Sequence, residues 1–259
     1  MWAGERPGLT VISEARLRPG APTEVACAAA RRAGGCLVPG PAGPDGSCLL
    51  AAFASVGDLR PGPFAAECPP LGGRVASWLW TLPGAVIAVF GVYGEAGRGD
   101  DPGGRNAALV ARAAEWAEAL GAPALIAGDT NVHDGHEGWA PGLAAAGWAD
   151  LGAAAGLPAC IPSRGAPSRP DRLLASPALA ACCGPAIVDW GSGLPAHAIL
   201  SAPLRLPHGR GVLRAAAARL GGGCRGCGCR CPRPLGPRRC PGAGRRPCGG
   251  GLGRPALRG

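Results

Sequence analysis

The stretch ALIAGDTN, residues 124–131, contains the pattern from which the fold of this chain is predicted. Residues 124–127 are small or branched and apolar, as in a short strand that is buried on both faces. Asp129 follows Gly128, at the point where this strand ends. Because a buried strand holds the side chain at its carboxyl end in a fixed position, Asp129 is a candidate functional residue.

Apolar strands and Ala-rich helices alternate on both sides of this stretch. We predict one helix over residues 23–32 and another over residues 102–120, the second from the spacing of Leu109, Ala113 and Trp116. Such alternation favours an α/β domain over a helical bundle. The predicted strands are residues 9–14, 48–54, 74–81, 85–93, 124–127, 172–175, 186–190 and 198–204.

Length and composition allow one sizeable α/β domain or two small ones with a buried core, because the chain has 259 residues and 47% of them are hydrophobic. It has no apolar run of the roughly 18 residues that a membrane-spanning helix needs. Residues 1–7 also lack the apolar segment of a signal peptide. We therefore expect an intracellular protein, with the nucleus as one location, and no contact with a membrane.

The net charge of +9 comes from the end of the chain. Up to residue 220 there are 17 Arg and 17 acidic residues, whereas the remainder has 9 Arg and no acid. Residues 207–259 are rich in Gly, Arg, Cys and Pro, which is typical of a segment without a packed core. We therefore predict a domain over residues 1–206 and a disordered basic tail over residues 207–259.

The tail holds cysteines at 224, 227, 229 and 231, four potential thiolate ligands. They lack the second, separated pair of a zinc ribbon, so we predict no folded zinc site there.

Glu14 is a second acid at a strand end, since it closes the first predicted strand. Two carboxylates held in this way can bind Mg²⁺ or Mn²⁺ and activate a water molecule. Hydrolysis of a phosphodiester needs this combination of a hard cation, a nucleophile and donors to the phosphate. Glu14 and Asp129 are therefore the predicted metal ligands.

Five segments, taken in order, resemble motifs of the endonuclease/exonuclease/phosphatase superfamily over residues 8–206. They are residues 12–17 with Glu14, Val92-Tyr93, Gly128-Asp129-Thr130-Asn131, residues 168–176 with Asp171, and residues 194–198 with His197. The resemblance implies a four-layer α/β sandwich of two mixed β-sheets flanked by helices, followed by the disordered C-terminal tail. It also implies a DNase I-like, Mg²⁺-dependent nuclease acting on DNA, as in endonucleases associated with retrotransposons.

The same resemblance implies a role for each site residue. Glu14 and Asp129 would bind the metal, and Asp129 would also orient or deprotonate the attacking water. Asn131 and Tyr93 would hydrogen-bond the scissile phosphate. Asp171 would orient His197, whose imidazolium would stabilise charge that develops on the phosphate oxygens.

The chain departs from the family pattern in two places. The family has an earlier strand that carries an asparagine, and only eight residues precede Leu9, so this strand is expected to be missing. Ala196 stands where the family has an acid before the histidine, and Pro195 replaces a small polar residue. These departures predict a weakened or altered site.

Alternatives to each assignment follow from the residues themselves. Residues 128–131 suit an ordinary turn, and Glu14 suits a solvated strand end. Tyr93 suits an apolar core, His197 suits a core histidine with its hydrogen bonds satisfied, and Asp171 beside Arg169 and Arg172 suits a surface ion pair. The segment His133-Asp134-Gly135-His136-Glu137 is predicted to be a solvated loop rather than a metal site. For the whole chain, the alternatives are an inert relic that binds nucleic acid through its tail and a phosphatase of small phosphoesters.

Overall fold

A computed structural model describes residues 8–97, 104–132, 135, 137–153, 156, 158–161, 167–191, 197–206 and 209–217. Within these residues the elements alternate as predicted for an α/β domain. The helices are α1 (Ala21–Arg32), α2 (Arg105–Leu120), α3 (Ala140–Ala145) and α4 (Pro177–Ala180). The strands are β1 (Leu9–Leu17), β2 (Cys36–Pro39), β3 (Cys48–Ala54), β4 (Asp58–Pro61), β5 (Val75–Leu82), β6 (Ala85–Val92), β7 (Ala124–Asp129), β8 (Ala149–Asp150), β9 (Asp171–Ala175), β10 (Ile187–Asp189), β11 (Ile199–Leu206) and β12 (Gly209–Ala217).

The strands form two mixed sheets of six strands each. The first sheet has the order β10-β11-β12-β1-β3-β2, and the second has the order β4-β5-β6-β7-β9-β8. Strand β12 is parallel to β1, and β6 is parallel to β7, while the other neighbours are antiparallel. The predicted α/β fold with two mixed sheets is therefore confirmed.

Three hydrophobic clusters define four layers. The largest lies between the sheets and contains Leu9 and Leu50 from the first sheet with Trp78 and Trp80 from the second. A second cluster packs α2 and α3 against the other face of the second sheet. A third packs α1 against the other face of the first sheet. Because each sheet is covered on both faces, its strands are apolar along most of their length.

Helix α1 begins earlier than predicted. It starts at Ala21, after Gly20 with a φ of 88°, and the Thr23 hydroxyl donates a hydrogen bond of 2.6 Å to the carbonyl oxygen of Arg18. Thr23 therefore does not cap the helix. The predicted start of α2 at Asp101-Pro102 lies outside the described residues, and the helix ends as expected at Gly121, in the left-handed conformation.

The predicted boundary at residue 206 is wrong. Residues 209–217, which we had assigned to the tail, form β12 between β11 and β1 in the first sheet. Strand β12 was missed because its pairing with strands distant in sequence leaves no local pattern in the chain. The Gly/Arg/Ala composition of residues 209–217 suggested a tail instead.

The described residues contain no helix that is both long and apolar enough to cross a membrane.

Candidate active site where the two sheets meet

The side chain of Asp129 lies at the carboxyl end of β7 and is 3% exposed. Its backbone N–H donates a hydrogen bond of 3.0 Å to Oγ of Ser13 on β1, in the other sheet. The preceding Gly128 has a φ of 137°, and a Cβ at this position would lie 2.1 Å from the carbonyl oxygen of Val92. Only glycine fits this conformation and contact, so the glycine of the motif allows β7 to deliver Asp129.

Glu14 lies at an irregularity in β1, where the register with β3 shifts between Ser13 and Leu17. Its φ is 52°, a left-handed conformation that is uncommon for a residue with a side chain. The Glu14 carboxylate accepts a short hydrogen bond from the hydroxyl of Tyr93, which follows β6 in the other sheet. Burial and the contact with Glu14 both raise the pKa of Tyr93, so its hydroxyl stays protonated.

Asp171 and His197 form the second pair that connects the sheets. Nδ1 of His197 lies 2.7 Å from Oδ2 of Asp171, which begins β9 and is 2% exposed. The hydrogen bond to Asp171 raises the pKa of His197 to about 9, despite the burial that opposes it. His197 is therefore an imidazolium at neutral pH and can donate a hydrogen bond from Nε2.

Asp129 lies close to this pair. Asp129, Asp171 and His197 each present a ligand atom, and these three atoms lie within 4.8 Å of one another. Burial and the negative charge of Asp171 raise the pKa of Asp129 to about 7. A carboxyl group with this pKa can accept a proton near neutral pH, which suits a general base.

Asn131 points its side chain towards the loop after β6. Its Nδ2 donates a hydrogen bond of 3.1 Å to the carbonyl oxygen of Gly94, and its backbone N–H donates one of 2.9 Å to Oδ1 of Asp129. With a φ of 49°, Asn131 adopts the turn conformation that asparagine tolerates well. The turn interpretation of residues 128–131 therefore holds, and this turn also orients the carboxylate of Asp129.

Asn106, in the first turn of α2, was missed by the sequence analysis. This residue is 1% exposed and accepts a hydrogen bond of 2.8 Å from the backbone N–H of Glu95. Its Nδ2 donates to the carbonyl oxygens of Glu95 and Asn131 at 3.0 and 3.3 Å. Asn106 thus joins the loops after β6 and β7, and an asparagine within a helix gives no sequence signal for such a role.

Cys160 was also missed, although it lies beside the imidazole. Its Sγ is 3.8 Å from Nε2 of His197, and the residue is 8% exposed. Burial raises the pKa of the Cys160 thiol to about 11, so the free thiol is protonated at neutral pH. Since 37 residues separate Cys160 from His197, sequence spacing could not reveal this contact.

The alternative that Asp171 belongs to a surface ion pair is wrong. Arg172 extends from β9 and is 1% exposed, with its guanidinium 2.7 Å from Oε1 of Glu137 and 3.0 Å from Oδ2 of Asp150. Arg169 also pairs with Asp150, at 3.5 Å. These arginines neutralise Glu137 and Asp150, while Asp171 pairs with His197. Glu137 is therefore part of a buried network rather than of a fully solvated loop.

Several residues discussed in the sequence analysis lie outside the described part of the chain. They are His133, Asp134, His136, Pro195 and Ala196.

The donor set of the site fits a divalent cation. Oδ1 of Asp171 is buried and has no hydrogen-bond partner among the residues that the structure describes, so a cation or another polar ligand nearby would satisfy it. Glu14 and Asp129 supply carboxylate oxygens, the ligands that Mg²⁺ prefers. Both acidic charges act on the same imidazole, because Asp129 and Glu14 each contribute to the raised pKa of His197.

Solved structures similar to this chain include nucleases. The endonuclease domain of TRAS1, a telomere-specific non-LTR retrotransposon, is 18% identical with a TM-score of 0.54, and the match covers 78% of this chain and all of that one. The 3'-5' exonuclease NExo of Neisseria meningitidis is 18% identical with a TM-score of 0.57, covering 79% and 91%. An AP endonuclease of Archaeoglobus fulgidus is 16% identical with a TM-score of 0.54, covering 77% and 90%.

By sequence alone, no family model and no curated protein matches the chain. The structural likeness is to DNase I-like enzymes of the endonuclease/exonuclease/phosphatase type. The fold that the five motifs implied is therefore confirmed.

Proposed function

We propose that this protein is a metal-dependent phosphodiester hydrolase of the endonuclease/exonuclease/phosphatase superfamily, acting on DNA. The observation that carries the proposal is the grouping of Asp129 with the Asp171–His197 pair, within 4.8 Å, at one edge of the two sheets. A base with a pKa of about 7 and an imidazolium with a pKa of about 9 then lie side by side. Hydrolysis near neutral pH uses one group of each kind.

Glu14 and Asp129 are the groups that would hold the metal, with Mg²⁺ or Mn²⁺ favoured by their oxygen donors. A bound divalent ion would neutralise charge on the phosphate and favour ionisation of a water molecule. Tyr93 fixes the Glu14 carboxylate through its short hydrogen bond. The Asn131 amide, which has a second N–H besides the one given to Gly94, is the neutral donor we assign to the phosphate. The Tyr93 hydroxyl has one proton, so it would donate to the phosphate only in exchange for its contact with Glu14.

We propose that Asp129 is the general base, which accepts a proton from the attacking water. Its orientation is set by the backbone N–H of Asn131, which donates to Oδ1, and by the contact between its own N–H and Ser13. We assign Oδ2 of Asp129 as the atom that accepts the proton of the water. A base held in place in this way needs little reorganisation before the reaction.

We assign to His197 the stabilisation of the negative charge that develops on the phosphate oxygens. Asp171 holds Nδ1 at 2.7 Å, so the ring presents Nε2 as the second donor. Donors that are fixed before the reaction stabilise a transition state more than water can, because they do not reorient.

DNA is the proposed substrate because the similar structures are DNA-processing enzymes. Two are named as endonucleases, and the Neisseria enzyme, titled as a 3' phosphatase in a second structure, was solved with a product DNA hairpin. The TRAS1 likeness supports the proposed association with a retrotransposon. A DNA substrate also favours the predicted intracellular location, including the nucleus.

Cleavage of supercoiled plasmid by the purified full chain with Mg²⁺ tests this function. We expect nicking that EDTA abolishes, and Asp129→Asn should lower the rate by about 10²–10⁴-fold, as for loss of a general base. Asp58→Asn is the matched control, since Asp58 is an exposed acid on β4 at the far edge of the second sheet. Its activity should be unchanged.

Three outcomes would contradict the proposal. Equal activity in Asp129→Asn would reject the site assignment. Turnover of p-nitrophenyl phosphate without cleavage of DNA would favour a small-phosphoester phosphatase. Salt-dependent DNA binding without cleavage, lost when residues 218–259 are deleted, would favour the inert relic.

A further inference from the structure

We propose that Thr130 is a positioning residue, whose hydroxyl fixes Asp171 opposite Asp129. Through Asp171 it also sets the position of His197. Thr130 lies between Asp129 and Asn131, the two residues of the motif that we assign to the reaction, and it is 1% exposed. The positioning role follows from the contacts of its side chain, whereas its effect on hydrolysis rests on the proposed function.

Asp129 and Asp171 face each other directly in the second sheet. Strands β7 and β9 are antiparallel, and their register pairs Asp129 with Asp171. Both residues are buried, at 3% and 2% exposure. Like charges directly opposite each other in a sheet are destabilising, so this end of the strand pair needs contacts that hold it together.

The backbone spacing of this acidic pair depends on the neighbouring positions of the ladder. In an antiparallel ladder, pairs that exchange backbone hydrogen bonds alternate with pairs that exchange none. At the next position, the backbone N–H of Thr130 donates a hydrogen bond of 2.8 Å to the carbonyl oxygen of Pro170. Asp129 and Asp171 therefore form a pair of the second kind, in which side chains lie closer together.

The hydroxyl of Thr130 compensates for a proline at this position. Pro170 has no N–H, so it cannot return a second backbone hydrogen bond to Thr130. The hydroxyl supplies a second contact instead, because Oγ1 of Thr130 donates a hydrogen bond of 2.9 Å to the same carbonyl oxygen. Thr130 thus directs both of its donors to the residue immediately before Asp171.

The position of Asp171 determines how the candidate site is assembled. Its Oδ2 lies 2.7 Å from Nδ1 of His197, and the ligand atoms of Asp129, Asp171 and His197 lie within 4.8 Å of one another. Asp171 begins β9, so the contact at Pro170 adjoins the strand end that carries it. A displacement of about 1 Å at this end would alter both the contact with His197 and the distance to the proposed base.

The opposite end of the same strand pair offers an internal comparison. There the backbone N–H of Ser176 donates a hydrogen bond of 2.9 Å to the carbonyl oxygen of Ala124. In return, the backbone N–H of Ala124 donates one of 2.8 Å to Oγ of Ser176. A hydroxyl therefore contributes at both ends of the β7–β9 pair, but the one on Thr130 adjoins the candidate site. Loss of either hydroxyl should destabilise the pair, and loss of the one on Thr130 should also disturb the site.

Proton NMR of the full chain in EDTA tests the positioning role without an enzymatic assay. The Nδ1–H of His197 lies in a charge-assisted hydrogen bond with Asp171, and such a proton resonates far downfield of other N–H protons. Its signal is assigned by its loss in His197→Gln. We expect Thr130→Val to shift this signal upfield or to broaden it, because valine fills a similar space without the hydroxyl.

Thr130→Ser and Ser176→Ala are the two controls. Thr130→Ser keeps a hydroxyl and should retain the signal of the unmodified chain. Ser176→Ala removes the matched contact at the far end of the strands, so it should lower the melting temperature but leave the signal unchanged.

Three results would overturn the proposal. They are an unchanged signal in Thr130→Val, an equal change in Ser176→Ala, and absence of the signal from the unmodified chain, which would contradict the contact between His197 and Asp171. If the valine variant does not fold, Thr130→Ala decides the same question, because it also lacks the hydroxyl.

Plasmid nicking with Mg²⁺ measures the effect on the reaction. Thr130→Val should lower kcat by about 10–100-fold, as for the loss of a partner that orients an active-site group, with little change in KM. Ser176→Ala should keep its kcat at a temperature where both variants are folded. Equal losses of kcat would indicate lower stability alone and reject the positioning role. If the unmodified chain does not cleave DNA, the proposed function fails, while the NMR signal still decides the role of Thr130.

Discussion

Nδ1 of His197 lies 2.7 Å from Oδ2 of Asp171, and this contact joins the segment just before β11 of the first sheet to β9 of the second. The hydrogen bond from Tyr93 to Glu14 and the one from the Asp129 backbone to Ser13 cross between the sheets in the same way. The candidate site therefore consists of side chains that meet only when the two sheets pack. Its geometry and the stability of the fold depend on the same contacts.

The Asp171–His197 pair should make the free energy of unfolding depend on pH. The pKa of His197 is raised from 6.5 to about 9 in the folded protein. Its stabilising contribution is therefore complete below about pH 6.5 and is lost as the pH rises through about 9. Urea unfolding in EDTA should show this decrease in the unmodified chain and a flatter profile in His197→Gln. Parallel profiles would contradict the raised pKa.

Tyr93→Phe should lower kcat for DNA cleavage on the order of 10²-fold, as for the loss of one fixed hydrogen-bond donor in an active site. The change also removes the contact that holds Glu14. We therefore expect a higher Mg²⁺ concentration at half-maximal rate, measured by nicking at several Mg²⁺ concentrations. If Tyr93 is only a core residue, the kinetics will be unchanged while the melting temperature falls.

Ser13→Ala should lower the free energy of unfolding by about 1–3 kcal/mol, because the buried N–H of Asp129 loses its acceptor. Ser77→Ala is the matched control in β5. Ser77 is 4% exposed, and its Oγ has no hydrogen-bond partner, so its removal should be neutral or stabilising. Denaturant unfolding of both variants measures the difference, and equal losses would show that the Ser13 contact contributes nothing specific.

Arg172→Met should destabilise the protein by about 3 kcal/mol, since it removes the cation that pairs with Glu137 and leaves Asp150 only its longer contact with Arg169. The triple variant Arg172→Met, Glu137→Gln, Asp150→Asn removes all three charges of these two pairs and costs only the contact of the partly exposed Arg169 with Asp150, so it should recover at least half of the loss. Chemical denaturation checks both variants. No recovery in the triple variant would show that packing around the guanidinium, including its position over the Trp139 ring, matters more than charge.

The position of β12 predicts how truncation affects folding. A chain that ends at Ala217 keeps the strand between β11 and β1, whereas one that ends at Leu206 exposes the edges of both neighbours. We expect cooperative thermal unfolding from the first protein and aggregation or a non-cooperative transition from the second. Equally cooperative unfolding of both proteins would show that the folded domain ends at residue 206.

The strands of the core could be predicted because each has a local signal. Residues 48–54 and 85–92 are apolar runs bounded by turn residues, and both form strands with nearly the predicted limits. Asp129, Glu14 and Tyr93 could be named because each lies at the end of such a run. The short strands β2, β4 and β8 were missed, since two to four residues carry too little pattern to distinguish strand from loop.

The α/β fold, the order of the motifs and the identity of the acids could be predicted from the chain, since these depend on residues that are neighbours in sequence. The groups that contact these acids are set by tertiary packing. Ser13 reaches Asp129 across 116 residues, and Cys160 reaches His197 across 37. Such contacts arise from the packing of one sheet on the other, and no local preference encodes them. The motif at residues 124–131 thus predicts where the site lies, while its ligands depend on the packing of the two sheets.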